Sequence, residues 1–424
     1  MAKADGAGGA VPFNPIVFNV KAEKYCKEGT EKLVGSWLAL VSASIFGMVV
    51  LGGYTRLTKS GLSMVRWEPH RMLPPITQEE WEKEFEEYKL SPEWIQVNSK
   101  KGMDLSGFKY IFFWEWAHRM LGKSIGFTFF VPLTYFLARG YIARRMQKVL
   151  VGLLLFGGLQ GAIGWWMVKS GLTDKKETGE VDKTPRVSPY RLSVHAGLAY
   201  TLYAFCFWNT MNLLRRPQEQ IVNTLQKVGQ YNKLRFSIKA FSFTLLPLVL
   251  LTGFFTAGTC AGYSCNTFPW VGEHWFYNRN HFLSRDEVPL WKNFTENKLI
   301  CQVNHRTLAS IMTIWATVVG LNCLRLTKLS GATRLSIVFL LSALWGQLFL
   351  GMNVIWNNVP IHLASLHQIG AMTTLTAVLF ACHNARAIDN RHMLNLIGKL
   401  RIEDPVAYKN LMKQQSRMMN FSGA

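Results

Sequence analysis

Of the ten histidines in the chain, four recur in matched settings. His118 and His305 each precede an arginine, Arg119 and Arg306, while His195 and His367 begin the stretches His195-Ala-Gly197 and His367-Gln-Ile-Gly370. All four fall near the start of apolar segments, about one to two helical turns in, or roughly 6 to 12 Å at 1.5 Å per residue. A solitary histidine in such a place is most often a hydrogen-bonded core residue. Four at one depth, two in each half of the chain, suit pairs of neutral imidazoles that clasp a metal between them. Zinc is disfavoured, because neither half offers a third or fourth ligand by spacing and no C-x-x-C occurs. Axial ligation of a haem iron, one haem for each pair, is the chemistry that two facing imidazoles serve.

Other reactive groups cluster around these histidines. Glu115 lies three residues before His118 and so shares its helical face, whereas Gln302 occupies the same place before His305. A carboxylate inside a membrane is costly unless used or paired, which makes the first half the better candidate for chemistry and the second for a permanent cofactor. The competing reading is that Glu115 merely pairs with Arg119 or a propionate. Arg119, Arg306 and Arg191, one turn before His195, have the guanidinium fork that binds carboxylates such as haem propionates; interfacial anchoring is the alternative for Arg191. Cys260 and Cys265, four residues apart in an outer loop, permit a disulfide, with free thiols as the alternative. Cys206, Cys323 and Cys382 fall inside helices and read as small apolar residues.

These groups need helices to hold them, and the composition supplies helices of a particular kind. Apolar residues make up 49% of the 424-residue chain and charged residues 17%, against about 25% in a soluble domain. The stretch from Leu335 to Ala385 contains no Asp, Glu, Lys or Arg. Windows of the roughly 20 residues needed to cross a bilayer occur at Leu33–Thr55, Val149–Val168, Leu192–Leu214, Ala240–Gly258 and Thr307–Leu324. The Leu335–Ala385 run splits into two at the turn sequence Trp356-Asn-Asn-Val-Pro360, and an eighth helix spans about Tyr110–Ala138. The fold class is therefore all-α and polytopic, with eight transmembrane helices. Intrinsic disorder is excluded by the hydrophobicity, and a disulfide scaffold by only seven cysteines.

The net charge of +21 is a matter of topology. Loops 139–148, 215–239 and 325–334 hold thirteen Lys or Arg and one acid, whereas the longer opposite connections hold nineteen basic and seventeen acidic residues. The first set faces the inside, against anionic membrane lipid, and both termini lie on that side. Nucleic acid is not the partner, since no basic stretch carries interleaved aromatics. Outer loop 54–109 contains an acidic helix, Gln78 to Tyr88, with aromatics at helical spacing, suited to the membrane surface. The N-terminus shows neither an Arg-rich amphipathic presequence nor a signal-peptide core.

The chain is duplicated. Gly52–Met64 (GGYTRLTKSGLSM) aligns with Gly253–Cys265 (GFFTAGTCAGYSC), and Gln160-Gly-Ala-Ile-Gly164 with Gln347-Leu-Phe-Leu-Gly351. Each repeat holds four helices, an even number, so two tandem four-helix bundles follow, related by a pseudo-two-fold axis along the membrane normal. The expected units are an inside segment 1–32, an N-terminal bundle 33–214, with outer loop 54–109, as the candidate for chemistry, a linker 215–239, a C-terminal bundle 240–385 with a permanent cofactor, and an inside tail 386–424.

From about Leu33 to Arg386 the chain resembles haem A synthase, in the form found in mitochondria and related bacteria. The resemblance rests on Gly52–Met64, Pro74–Phe85 (PPITQEEWEKEF), Glu115–Arg119 (EWAHR), Gly164–Leu172 (GWWMVKSGL), Pro185–Leu192 (PRVSPYRL), Asn304-His-Arg306 and His367-Gln-Ile-Gly370. It implies oxidation of the C8 methyl of haem O to a formyl group, giving haem A for cytochrome oxidase. It also implies substrate haem between His118 and His195, a resident haem b between His305 and His367, and Glu115 as the catalytic glutamate. Implied partners are a farnesyltransferase that makes haem O (haem O synthase) and a ferredoxin electron donor; self-association is left open. The implied location is the mitochondrial inner membrane, or the plasma membrane of a bacterium. Unlike some bacterial relatives, the chain has no outer-loop cysteine pair in its first half. A di-haem electron carrier would need the same histidines but not Glu115, and a transporter would place its site at the membrane midplane.

Overall fold

The structure, a computed structural model, describes residues 25–173, 185–215, 236–282, 289–325 and 331–385, with 17–18, 219–220 and a few positions between 398 and 412. The expected inside segment before Tyr25, most of linker 215–239 and most of the tail from Arg386 lie outside the described residues. A two-residue antiparallel pairing of Val17–Phe18 with Glu219–Gln220 aside, regular structure among the described residues is helical. In chain order the helices are α1 (Glu31–Leu57), α2 (Gln78–Lys89), α3 (Leu105–Ala138), α4 (Arg144–Leu172) and α5 (Pro189–Leu214). They continue with α6 (Phe236–Gly258), α7 (Lys298–Leu324), α8 (Gly331–Trp356) and α9 (Ile361–Asn384).

Seven of these, α1, α3, α4, α6, α7, α8 and α9, are long and apolar enough to cross a membrane. The remaining long helix, α5, has 26 residues but carries Arg191, His195, Asn209 and Asn212, and falls outside that set. Only 11% to 33% of each apolar window is buried, so side chains such as Phe127, Leu155, Ile314 and Phe349 face outward. Hydrocarbon accommodates such a surface, and a helix satisfies its own backbone there. Helix α1 packs on α3 and α5, and α4 packs on both α3 and α5; α7 lies between α6 and α8, and α8 packs on α9. The two sets meet where α5 touches α6 and α9 and where α1 touches α9. One apolar core runs through both, with Leu38, Leu133, Leu150, Leu344 and Met372 almost wholly buried.

The outer loop between α1 and α3 builds a second core. Thr77 caps α2 by accepting from Glu80 N, while the Glu80 carboxylate accepts from Ile76 N and Thr77 N. The apolar side of α2 then rests on α3, where Phe85 and Tyr88 stack on Phe108 at centroid separations of 5.0 Å each. That contact explains why α3 begins at Leu105 and not near Tyr110: its first turns stand above the apolar span and bury Phe108 and Phe112 under α2. A polar group lies inside this core. The Tyr88 hydroxyl donates to Glu93 (2.9 Å) and accepts from Asn98 Nδ2 (2.6 Å), all three buried.

Burial pushes the Glu93 carboxyl up to about 7, against the opposing influence of the Tyr88 hydrogen bond and of Lys59 and Lys101. An acid held more tightly protonated when folded contributes stability that is present below its ordinary value of 4.5 and is lost as pH rises towards about 7. Hydrogen exchange of the α2–α3 region in detergent should therefore report an opening free energy that falls by up to about 3 kcal/mol across that interval. Glu93→Gln should flatten the dependence; an unchanged pH profile in this variant would assign the titration to another group.

Candidate functional site

Each of the four histidines sits against a glycine of another helix. A Cβ on Gly52 of α1 would lie 2.7 Å from Cε1 of His118 on α3, and one on Gly164 of α4 would lie 2.9 Å from Cε1 of His195 on α5. In the second half the same holds for Gly253 of α6 with His305 on α7 (2.9 Å) and Gly351 of α8 with His367 on α9 (3.0 Å). Any side chain at these positions would displace the imidazole, so the glycines set how closely ring and neighbouring backbone approach. His195, His305 and His367 are the seventh, eighth and seventh residues of their helices, within about two turns of the start. His118 is the fourteenth because α3 begins above the apolar span.

In the second half the rings come together: His305 and His367 have centroids 6.4 Å apart with planes at 84°. His305 Nδ1 lies 3.2 Å from the Val249 carbonyl oxygen and 3.2 Å from Thr252 Oγ1. An N–H directed at that carbonyl leaves Nε2 as the free lone pair, the tautomer a metal ligand needs. Gln347 Nε2 stands 3.4 Å from His367 Nε2, and Gln160 Nε2 donates to the His195 carbonyl at 2.9 Å. Nδ1 of His118, His195 and His367 is buried without a hydrogen-bond partner. Burying a polar nitrogen unpaired costs about 1–3 kcal/mol, and here three fall in matched places.

Glu115 and Gln302 occupy corresponding places but do different things. Gln302 donates to the Gly262 and Cys265 carbonyls (3.1 and 2.9 Å), stitching the outer loop to α7. A carboxylate has no such donor; Glu115, 4% exposed, accepts from Arg119 Nε at 2.8 Å and lies beside Gly61, which matches Gly262 in the repeat. Arg119 also donates to the Met64 and Arg66 carbonyls, and Arg306 to those of Thr267, Pro269 and Trp270. Of the two arginines expected at propionates, Arg119 thus gives two hydrogen bonds and Arg306 three to outer-loop carbonyls. Arg191 differs: it donates to the Trp166 carbonyl, lies over the Trp166 ring at 4.5 Å, and lines a cleft of about 240 Å3 with Lys169, Ser170 and Thr173.

Cys260 and Cys265, whose spacing left disulfide and free thiols open, stand as free thiols in the structure. Each has its own partner: Cys260 Sγ meets the Arg56 guanidinium at 3.8 Å, and Cys265 Sγ meets Thr267 Oγ1 at 3.1 Å. Despite burial, Arg56 and Arg186 hold the Cys260 thiol below its ordinary range. The four glycines and the glutamines Gln160, Gln347 and Gln368 are site residues that a search for reactive side chains overlooks. Their signal is positional, since the glycines are the residues at which the two repeats align.

A family model described as cytochrome oxidase assembly protein (COX15-CtaA) matches residues 35–379. The chain is 39% identical over 362 residues to heme A synthase COX15 of Arabidopsis thaliana, covering 84% of this chain and 75% of that one. It is 39% identical over 361 residues to heme A synthase of Nitrosospira multiformis, covering 85% and 95%. A heme A synthase-mitochondrial ferredoxin fusion protein of Schizosaccharomyces pombe is 38% identical over 372 residues, covering 82% of this chain and 59% of the fusion.

Arg306→Ala should free the loop at residues 267–270, whose three carbonyls it holds, at a cost of roughly 2–4 kcal/mol for charged hydrogen bonds removed from a buried residue. Limited proteolysis should cut faster within residues 261–276. Arg306→Lys should restore little of the protection, because one ammonium cannot reproduce a fork spread over three carbonyls.

Proposed function

The chain belongs to the cytochrome oxidase assembly protein family (COX15-CtaA), and from that premise we propose that it is a haem A synthase, a membrane oxidoreductase that converts haem O to haem A. The single observation that carries the catalytic part is the exchange of an amide for a carboxylate between matched sites, Gln302 in the second half and Glu115 in the first. In this reading α5 is the eighth membrane span, residues 33–214 and 240–385 form two four-helix bundles, and both termini lie inside. The membrane is the mitochondrial inner membrane, or the plasma membrane of a bacterium.

The arrangement fits haem. The rings of His305 and His367 stand 6.4 Å apart, and the two imidazoles would hold one haem iron between them. His305 and His367 would hold the resident haem b, and His118 and His195 would hold haem O as substrate. When bound, haem b supplies one-electron redox chemistry. The chain supplies position and charge. Gly52 and Gly164 let α1 and α4 close against the backs of His118 and His195 and fix both rings. The Arg191 and Lys169 cleft takes a propionate of the substrate, while Arg119 and Arg306 act as loop clamps. Loss of two electrons and one proton from the C8 methyl to an electron acceptor outside the chain would leave positive charge on that carbon, and the Glu115 carboxylate would stabilise it and accept the second proton as water adds to give the alcohol. Arg119 aims the Glu115 carboxyl through its Nε hydrogen bond. The ferredoxin fused to the fission-yeast relative is the model for an electron-transfer partner on the inside, and a farnesyltransferase supplies haem O.

Glu115→Gln should keep the fold and haem b, since glutamine already stands at the matching position 302, yet lower haem A formation at least 100-fold, within the range for a lost general base. Chromatography of the extracted pigment should then find haem O or its alcohol form in place of haem A. Haem A at the normal rate would reduce Glu115 to an ion-pair partner of Arg119.

His305→Ala or His367→Ala should empty the resident site and lower thermal stability, because a cofactor that binds only the folded chain stabilises it. Unchanged haem b content in the purified variants would place that haem elsewhere.

A further inference from the structure

The two halves touch at places the repeat makes equivalent, yet the contacts are of different kinds. Gln368, the residue after His367, donates through Nε2 to the Val49 carbonyl of α1 at 2.7 Å. Its amide occupies the space where a Cβ on Gly53 would be, so the contact requires glycine at 53. The preceding residue, Gly52, backs His118. One turn of α1, Val49 to Gly53, is therefore held between an imidazole of the first half and the neighbour of an imidazole of the second. At the equivalent seam the first half has Ala196 after His195, and Phe254 replaces Gly53. There the Phe254 ring meets Gly197 (3.9 Å from a Cβ) and Tyr200 (centroids 5.2 Å). The polar contact is directional and the aromatic one is not.

We propose that Gln368 is a positioning residue that acts across the seam, setting the place of His118 through the Val49–Gly53 turn, so that the second half tunes the substrate site of the first. The inference rests on the reading of the His118 and His195 pair as the substrate-haem site. Val49 O keeps its own helical bond when Gln368 is removed, so the loss is one of placement and leaves no buried acceptor bare.

The test uses the full chain in detergent, loaded with haem, and reads each low-spin haem by its electron paramagnetic resonance signal together with haem content. Gly53→Ala should force the Gln368 amide away and shift the first-half signal while both haems stay bound. Gln368→Ala alone should shift that signal in a smaller degree. The double variant should resemble Gln368→Ala, because the three atoms nearest a methyl at 53 all belong to the Gln368 amide; a purely structural role would instead change stability and leave the signals in place. Additive shifts in the double variant, or an unmoved first-half signal in both single variants, would overturn the proposal. Absence of any first-half haem signal from the unmodified protein would count against the substrate-site reading itself.

Discussion

The approach of an imidazole to a neighbouring helix backbone without an intervening side chain is the constraint on which the site depends. It occurs four times, at Gly52, Gly164, Gly253 and Gly351, and each time the glycine and its histidine are on different helices. A histidine held only by its own rotamers would lose entropy on binding a ligand and would point less accurately. Here the ring is walled by backbone, which does not move without moving a helix. Helices otherwise gain little from burying apolar surface against one another in lipid, so packing that admits small residues does much to hold them together. The same glycines therefore serve assembly and ligand geometry at once.

Duplication supplied this device twice, and the differences show how the halves diverged in task. The arginines after His118 and His305 perform the same service, donating to the matched carbonyls of Arg66 and Thr267. The residue one turn earlier does not: an amide at 302 finishes the work of binding the loop, and a carboxylate at 115 leaves that work to Arg119 and Met64. The first half thus gives up two loop hydrogen bonds and gains a buried acid. Such local loss of structural satisfaction is what a site under functional demand shows.

Much of this is legible in the sequence because hydrophobic length, turn residues and repeat landmarks are local signals. The apolar windows fall within the observed helices, and the break at Trp356 to Pro360 separates α8 from α9. The approach of His305 to His367, 6.4 Å between ring centroids, is the kind of contact the repeat leads one to expect. What sequence leaves out is where long polar side chains turn. Arg119 and Arg306 look like propionate ligands until the outer loops come within reach of their guanidinium groups. The start of α3 depends on burial of Phe108 under α2, a tertiary contact that hydropathy does not record. Gln368 is visible only as part of a motif, since its acceptor, Val49, is 319 residues away.

The unlike seams between the halves have a consequence for the route by which such a chain can arise. Two identical four-helix subunits joined about a two-fold axis would meet through an isologous interface, in which every contact is made twice with the same residues. An amide over glycine and a phenyl ring against glycine could not then coexist, because each change would appear on both sides together. Covalent linkage of the two copies removes that coupling. Residue 53 is free to stay glycine while residue 254 becomes phenylalanine, and one copy can keep a pigment while the other exchanges it.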